Sequence, residues 1–246
     1  MSDRASVDQG EIARFDRLAE AWWDPHGQFR QLHKMNPVRI GYIRERMAAH
    51  FDRAEPGPGA LAGLSLVDVG CGGGLLTEPL ARLGGRVTGL DPSSEAIAFA
   101  RRHAELLGLD IDYRNETAER LAAAGASFDV VLALETVEHV SDPDSFLQAL
   151  ARLVRPGGLV ILSTLNRNAK SFALGIVAAE YVLGWVARGT HDWRKFLKPH
   201  ELARGLRRCG LTVADVTGLV YDPRTAGWRL DPRDLGINYL MTAAAP

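Results

Sequence analysis

The sequence predicts an α/β fold built on a mostly parallel sheet. Strand-like and helix-like segments alternate between residues 65 and 164, and such alternation gives parallel strands joined by right-handed crossovers. The segment FDVVLAL, residues 128–134, is apolar almost throughout, as expected of a strand buried on both faces. The segment LVDVGCGGGL, residues 66–75, runs from an apolar strand into a glycine turn. A chain of 246 residues is long enough for one such domain with additions.

The elements of this domain follow one another in a regular order. Apolar stretches alternate with segments in which apolar residues recur at helical spacing. We predict seven strands, at residues 65–70, 86–90, 110–115, 128–134, 158–164, 211–219 and 237–243. The helices among them are predicted at residues 74–84, 94–108, 117–124, 143–154 and 199–208.

Residues 1–55 are predicted to form a helical cap in front of the domain, which spans residues 56–246. We expect an amphipathic helix at residues 8–23 and a second at residues 37–51. Pro37 would lie in the first turn of the second helix, where its missing N–H is not needed. A helical insertion, residues 165–199, follows the fifth strand and is a candidate substrate lid.

Composition and charge exclude several classes of protein. The net charge is −1, with 46% hydrophobic and 24% charged residues, so there is no electrostatic reason to expect nucleic-acid binding. The first residues lack the apolar core of a signal peptide. No run reaches the roughly 20 apolar residues that a membrane-spanning helix needs. We therefore expect a cytoplasmic protein, with peripheral contact to the inner face of the membrane as a further expectation that depends on the insertion.

The glycine turn and the acid that follows it predict a nucleoside site. Glycines allow a tight turn that a ligand can approach closely, and the following helix offers unpaired N–H groups. Asp91 lies 21 residues after Gly70, at the end of the next strand, where it can accept hydrogen bonds from ribose hydroxyls. Leu75 occupies the position where a dinucleotide fingerprint has its third glycine, which argues against NAD.

Four segments in this order, VDVGCGGG, TGLD, FDVVLALETVEH and LVRPGGLVILST, resemble the class I S-adenosylmethionine-dependent methyltransferases. The resemblance implies a Rossmann-like sheet with an antiparallel last strand. It implies that Gly70 lies beneath the methionine part of S-adenosylmethionine, that Asp91 binds the ribose, and that Leu134 contacts the same cofactor.

The flanking segments, residues 19–43 and 163–199, resemble the ubiquinone-biosynthesis O-methyltransferases. That resemblance implies a polyprenylated catechol substrate, either 2-polyprenyl-6-hydroxyphenol or 3-demethylubiquinol, and other enzymes of ubiquinone biosynthesis as partners. It also implies that Arg39, in NPVRIGY, contacts the cofactor. Two alternatives remain: a methyltransferase of the same fold acting on a soluble small molecule, and a regulator that binds the cofactor without catalysis.

Catalysis is expected at Glu135, Glu138 and His139, which follow the fourth strand in the segment ETVEH. If the backbone is helical there, the three side chains lie on one face. Such a face suits a divalent cation such as Mg²⁺, which would lower the pKa of a catechol hydroxyl. The resemblance implies the same three metal ligands. The alternatives are that His139 acts as a base without a metal, or that the segment is structural.

The insertion offers two further candidates. Residues 171–187 are nearly all apolar except Glu180, so the segment is either a core or dimer helix or a lid that touches the membrane and admits a polyprenyl tail. His191 and Asp192, in GTHDW, either line the substrate end of the site or form a hydrogen bond that anchors their loop.

Overall fold

The computed structural model describes residues 6–16, 21–53, 57, 59–185 and 189–246, and within them eight strands form one sheet. The strand order is β3-β2-β1-β4-β5-β8-β6-β7. The strands are β1 (Ser65–Val69), β2 (Arg86–Leu90), β3 (Asp112–Arg114), β4 (Phe128–Leu134), β5 (Val154–Leu165), β6 (Thr212–Asp222), β7 (Gly227–Asp231) and β8 (Asn238–Ala244).

The sheet is parallel from β3 to β5, and β8 runs antiparallel between β5 and β6. The predicted parallel sheet and its antiparallel last strand are therefore confirmed. The prediction of seven strands omits β7, which pairs with β6 as an antiparallel hairpin at the edge of the sheet. Its sequence, GWRLD, is short and half-polar, so it carries little strand signal.

The helices cover both faces of the sheet because successive strand residues point to opposite sides. On β4, Val131 and Ala133 belong to one apolar cluster, whereas Val130 and Leu132 belong to another. The helices are α1 (Gln9–Asp16), α2 (Arg30–His50), α3 (Thr77–Arg82), α4 (Ser94–Leu106), α5 (Ala118–Ala123), α6 (Pro143–Leu153), α7 (Ala169–Ser171) and α8 (Pro199–Arg208).

The helices of the N-terminal segment differ in their bounds from the prediction. Helix α1 is shorter than predicted within the described residues, because residues 21–23 are not α-helical and residues 17–20 lie outside them. Helix α2 begins at Arg30, and Pro37 lies inside it. The predicted start at Pro37 was therefore wrong, because the segment RQLHKMN before it is also helical. The boundary predicted at residue 55 falls among residues that the structure does not describe.

The insertion contains a π-helix, Phe172–Val182, which continues directly from α7. Its inner side buries Ile176, Ala179 and Glu180. Its outer side leaves Phe172 and Tyr181 about half exposed. In the described residues no helix is long and apolar enough to cross a membrane.

Candidate functional site

One cavity of about 850 Å³ opens at the carboxyl ends of the parallel strands, where ligands of such sheets usually bind. Its size is within the range of roughly 300–1,000 Å³ typical of small-molecule pockets. It brings together most of the residues predicted for the site, namely Arg39, Gly70, Asp91, Leu134, Glu135 and His139. Glu138 is not part of its wall.

The glycine turn begins where β1 ends. Gly70 has a φ of +76°, and a Cβ added there would lie 2.6 Å from the Thr136 hydroxyl oxygen. Only glycine combines that backbone conformation with so close a neighbour. The turn therefore presents bare backbone to the cavity, as a cofactor-binding turn requires.

Asp91 follows β2 and holds this turn in place. One carboxylate oxygen accepts the N–H of Gly72 and the other accepts the N–H of Ser93, each at 2.9 Å. Burial raises the pKa of Asp91 to about 6, against the lowering effect of these hydrogen bonds. Each carboxylate oxygen has a second lone pair. Asp91 is therefore able to accept two further hydrogen bonds from a diol in the cavity.

Arg39 reaches the cavity from α2 and is only 4% exposed. Its Nη2 lies 2.8 Å from Glu135 Oε1, and within the described residues its Nε has no hydrogen-bond partner. A buried guanidinium with a spare donor suits an anionic group such as a carboxylate.

Glu135 lies directly after β4 and has a φ of +53°, which is uncommon for a residue other than glycine. Its carboxylate accepts hydrogen bonds from Ser163 Oγ at 2.6 Å and from Asn238 Nδ2 at 2.9 Å. Burial alone would raise the pKa of Glu135, but Arg39 and these hydrogen bonds outweigh it and lower the pKa. Glu135 is therefore a fixed, ionised carboxylate.

Glu138 has the opposite electrostatic character. It is 3% exposed and accepts a hydrogen bond from the Thr164 hydroxyl at 2.8 Å. Burial, with the charge of Glu135 beside it, raises the pKa of Glu138 well above its ordinary value. Two nearby carboxyl groups thus differ in protonation, since their surroundings shift their pKa values in opposite directions.

The predicted helix through Glu135, Glu138 and His139 does not form. Only Val137–His139 is helical, as a single 3-10 turn, because the positive φ of Glu135 ends the preceding strand abruptly. His139 Nδ1 lies 3.1 Å from Glu11 Oε2. No group of three His, Cys, Asp or Glu side chains within the described residues is arranged to hold a metal ion.

In this structure the donor set therefore does not fit the predicted divalent cation, and the metal site expected at Glu135, Glu138 and His139 is not supported. Glu135 already binds a guanidinium cation, which would repel a metal ion next to it. Glu138 does not line the cavity wall that holds Glu135 and His139.

His191 pairs with Glu180 and not with Asp192. Glu180 Oε1 lies 3.0 Å from His191 Nδ1 and accepts the N–H of His191 at 3.1 Å, while Oε2 accepts the N–H of Gly189 at 2.7 Å. Asp192 instead accepts the N–H of Arg194, which begins a short 3-10 turn. His191 lines the same cavity as His139, with their ring centroids 6.1 Å apart.

Sequence reasoning did not identify Glu180, Ser163 and Asn238 as parts of this site. The sequence does contain a signal for Glu180, since it is the only charged residue in the apolar run 171–187. Asn238 had none, because it reaches Glu135 only through the pairing of β8 with β5, about 100 residues along the chain.

Comparison with known families identifies the central region of the chain. A family model described as "Methyltransferase domain" matches residues 67–162. This range includes the glycine turn and the end of β4.

Curated relatives match the whole chain. A ubiquinone biosynthesis O-methyltransferase from Methylobacterium sp. (strain 4-46) is 55% identical over 241 residues, covering 98% of this chain and 96% of the relative. One from Cereibacter sphaeroides (strain ATCC 17025 / ATH 2.4.3) is 52% identical and covers both chains completely. One from Dinoroseobacter shibae is 52% identical over 98% of this chain and 97% of the relative.

Solved structures share the fold at low sequence identity. Magnesium protoporphyrin IX methyltransferase from Synechocystis PCC 6803, with bound S-adenosylhomocysteine, superposes with a TM-score of 0.66 at 20% identity, covering 95% of each chain. The [4+2]-cyclase SpnF also superposes, with a TM-score of 0.58 at 19% identity, and the match covers 83% of this chain and 80% of the cyclase chain. The reactions of these two proteins differ, so the fold alone does not determine the chemistry.

Proposed function

Because the chain belongs to the ubiquinone biosynthesis O-methyltransferase family, we propose that it methylates a catechol hydroxyl of a polyprenylated ubiquinone precursor. It is an S-adenosylmethionine-dependent O-methyltransferase. The substrates in this proposal are 2-polyprenyl-6-hydroxyphenol and 3-demethylubiquinol.

The observation that carries the proposal is the convergence of Arg39, Gly70 and Asp91 on one cavity. Asp91 would accept hydrogen bonds from the ribose, and the bare backbone at Gly70 would lie beneath the methionine part of the cofactor. Arg39 would bind the methionine carboxylate, and Leu134 would contact the cofactor from the end of β4. When bound there, S-adenosylmethionine supplies a methyl group on a positively charged sulfur.

The rest of the cavity suits a large apolar substrate. Trp185, Tyr221 and Trp228 line it as a row of aromatic rings, with centroid distances of 4.7 Å and 5.6 Å between neighbours. Aromatic rings offer large apolar surface to a prenylated ring. A water-soluble catechol would leave this surface unused.

The primary experiment measures methyl transfer from labelled S-adenosylmethionine to a prenylated catechol and to the same catechol without its prenyl chain. We expect the prenylated compound to have a kcat/KM at least tenfold higher. A preference for the short catechol would instead indicate a methyltransferase of soluble small molecules.

The divalent cation is not part of this proposed mechanism, because the donor set at Glu135, Glu138 and His139 does not fit one. We expect methyl transfer to persist after dialysis against EDTA. Loss of activity that added Mg²⁺ restores would contradict this expectation.

We also propose that the outer side of the π-helix contacts the membrane that holds the substrate. Phe172, Val177 and Tyr181 on this helix are between 42% and 54% exposed, and so are Leu174 and Leu183, which also reach the rim of the cavity. Apolar surface of this kind favours transfer into the lipid interface. This segment would then lie where a lipid-bound substrate enters the cavity.

Liposome co-sedimentation tests this contact. We expect the double variant Phe172→Glu/Val177→Glu to reduce liposome binding, because both residues are exposed. Neither residue lines the cavity, so the change should act on the lipid contact and not on the cavity itself. Leu106→Glu is the matched control, since Leu106 is 84% exposed at the end of α4. Equal binding by the double variant and the wild type would contradict the membrane contact.

A further inference from the structure

We propose that His191, held in position by Glu180, is the general base that removes the proton from the catechol hydroxyl. This inference rests on the proposed function, because a base is needed only where a neutral phenol is methylated. A phenol has an ordinary pKa near 10, so little of it is ionised at neutral pH.

The geometry fixes which nitrogen of His191 can act. His191 Nδ1 lies 3.0 Å from Glu180 Oε1, and an ionised carboxylate can only accept a hydrogen bond. Nδ1 therefore carries the hydrogen, and in the neutral ring Nε2 is left as the acceptor. No hydrogen bond to Nε2 is present within the described residues.

Glu180 is unusually well held for a residue of an apolar segment. It is 2% exposed, and its carboxylate accepts three hydrogen bonds from the chain just after the helix. Burial raises the pKa of Glu180, but the bonds from His191 and Gly189 outweigh it and lower the pKa. An ionised, immobile carboxylate orients the imidazole and stabilises the imidazolium that forms after proton transfer.

The position of His191 suits the reaction. It lines the cavity that also holds Gly70, Asp91 and Glu135. The groups that face it are Glu180 from the π-helix, Phe196 from the following loop, and Glu135 and His139 from the end of β4.

The other candidates for the base are less suitable. Glu135 is bound to Arg39 and its lowered pKa makes it a weak base. Glu138 does not line the cavity. His139 faces the cavity, but its Nδ1 partner is Glu11, whose side chain is 23% exposed, whereas the Glu180 side chain is almost fully buried.

The step balances without another reactant. The hydroxyl proton passes to His191 Nε2 as the oxygen bonds to the methyl carbon, and the electron pair of the broken carbon–sulfur bond returns to sulfur. The products are the methyl ether, S-adenosylhomocysteine and an imidazolium, which releases its proton to solvent.

The decisive variant is His191→Asn. The side-chain amide of asparagine can occupy the place of Nδ1 and keep the hydrogen bond to Glu180, but it has nothing at the position of Nε2. We expect kcat to fall about 10²- to 10⁴-fold, the usual contribution of a general base. S-adenosylhomocysteine affinity and thermal stability should stay near wild type. His200→Asn, on the exposed side of α8, is the matched control and should keep full activity.

The pH profile separates catalysis from a structural role. At neutral pH the kcat/KM of the wild type should far exceed that of His191→Asn, whereas the rate of His191→Asn should rise steadily up to pH 9 as the phenolate fraction grows, so the gap between the two should narrow with rising pH. Added imidazole should partly restore His191→Ala. An electron-withdrawing substituent that acidifies the phenol should narrow the gap between variant and wild type.

Three results would overturn the inference. If His191→Asn keeps kcat within threefold of wild type with the same pH profile, His191 only anchors its loop. If His139→Asn alone shows the altered profile, the base is His139. A wild type that binds S-adenosylhomocysteine but methylates no catechol would contradict the proposed function itself, and this assignment with it.

Discussion

The buried ion pair between Arg39 and Glu135 allows a quantitative prediction, tested with Arg39→Met. Removing one partner of a buried pair costs about 3–5 kcal/mol. Glu135 keeps its hydrogen bonds from Ser163 and Asn238 and is 18% exposed, so we expect the low end, about 3 kcal/mol. For a chain of this length that corresponds to a fall in Tm of roughly 6–12 °C.

The loss of unfolding free energy in Arg39→Met should depend on pH in a defined direction. In the wild type the folded pKa of Glu135 lies below its ordinary 4.5, so its stabilisation is present above that value and is lost as pH falls through the folded pKa. Without Arg39, burial raises the folded pKa above 4.5, so the variant is penalised increasingly as pH rises. The difference in unfolding free energy should therefore be larger at pH 8 than at pH 5.

The same substitution should weaken the cofactor site. Loss of a hydrogen bond to a charged group costs about 1.5–3 kcal/mol, or roughly a 10- to 150-fold loss of S-adenosylhomocysteine affinity. Calorimetric titration measures the affinity, and urea unfolding at the two pH values measures stability. The matched control is Arg46→Met on the same helix, whose ion pairs are partly exposed to solvent and worth about 1 kcal/mol.

Two outcomes would refute this reasoning. Wild-type affinity for S-adenosylhomocysteine in Arg39→Met would show that Arg39 does not contact the cofactor. A stability deficit that is equal at pH 5 and pH 8 would show that Glu135 does not change its protonation when its partner is lost.

Three further predictions concern the neighbouring groups. Asp91→Asn should weaken S-adenosylhomocysteine binding roughly tenfold by calorimetry, because an amide has one acceptor oxygen where two are needed. Gly70→Ala should destabilise the fold by roughly 2–3 kcal/mol in urea unfolding, since φ is positive and the Thr136 side chain lies 2.6 Å from the new Cβ. Glu138→Gln should stabilise the protein at pH 8 but not near pH 4. The raised folded pKa of Glu138 gives stability that is present below its ordinary 4.5 and lost as pH rises, and equal unfolding curves at pH 8 would contradict this.

The parts of the fold that the sequence predicts well are those with local signals. The bounds of β2 and β4 match the predicted residues, because β4 is an almost continuous apolar run and β2 lies between Gly84-Gly85 and Asp91-Pro92. Gly70 and Asp91 meet at one edge because parallel strands place their carboxyl ends together.

The parts that the sequence does not predict depend on pairing between distant segments. Asn238 reaches Glu135 through the register of β8 on β5, and nothing near residue 238 indicates this. The helix expected through Glu135 fails because its amide donates to the Ser163 carbonyl of β5 while its backbone turns to a positive φ. These contacts form only when the whole sheet is assembled.

Glu180 determines how the apolar insertion is oriented. A helix that is apolar all round has no preferred inner side, and a buried carboxylate without partners costs several kcal/mol. The three hydrogen bonds that Glu180 accepts come from Gly189 and His191. They hold the side of the π-helix that carries Glu180 against the cavity. Phe172 and Val177 are then left on the outer side. One acidic residue thus fixes both the position of His191 and the surface that we propose meets the membrane, so a change at Glu180 should alter catalysis and lipid binding together.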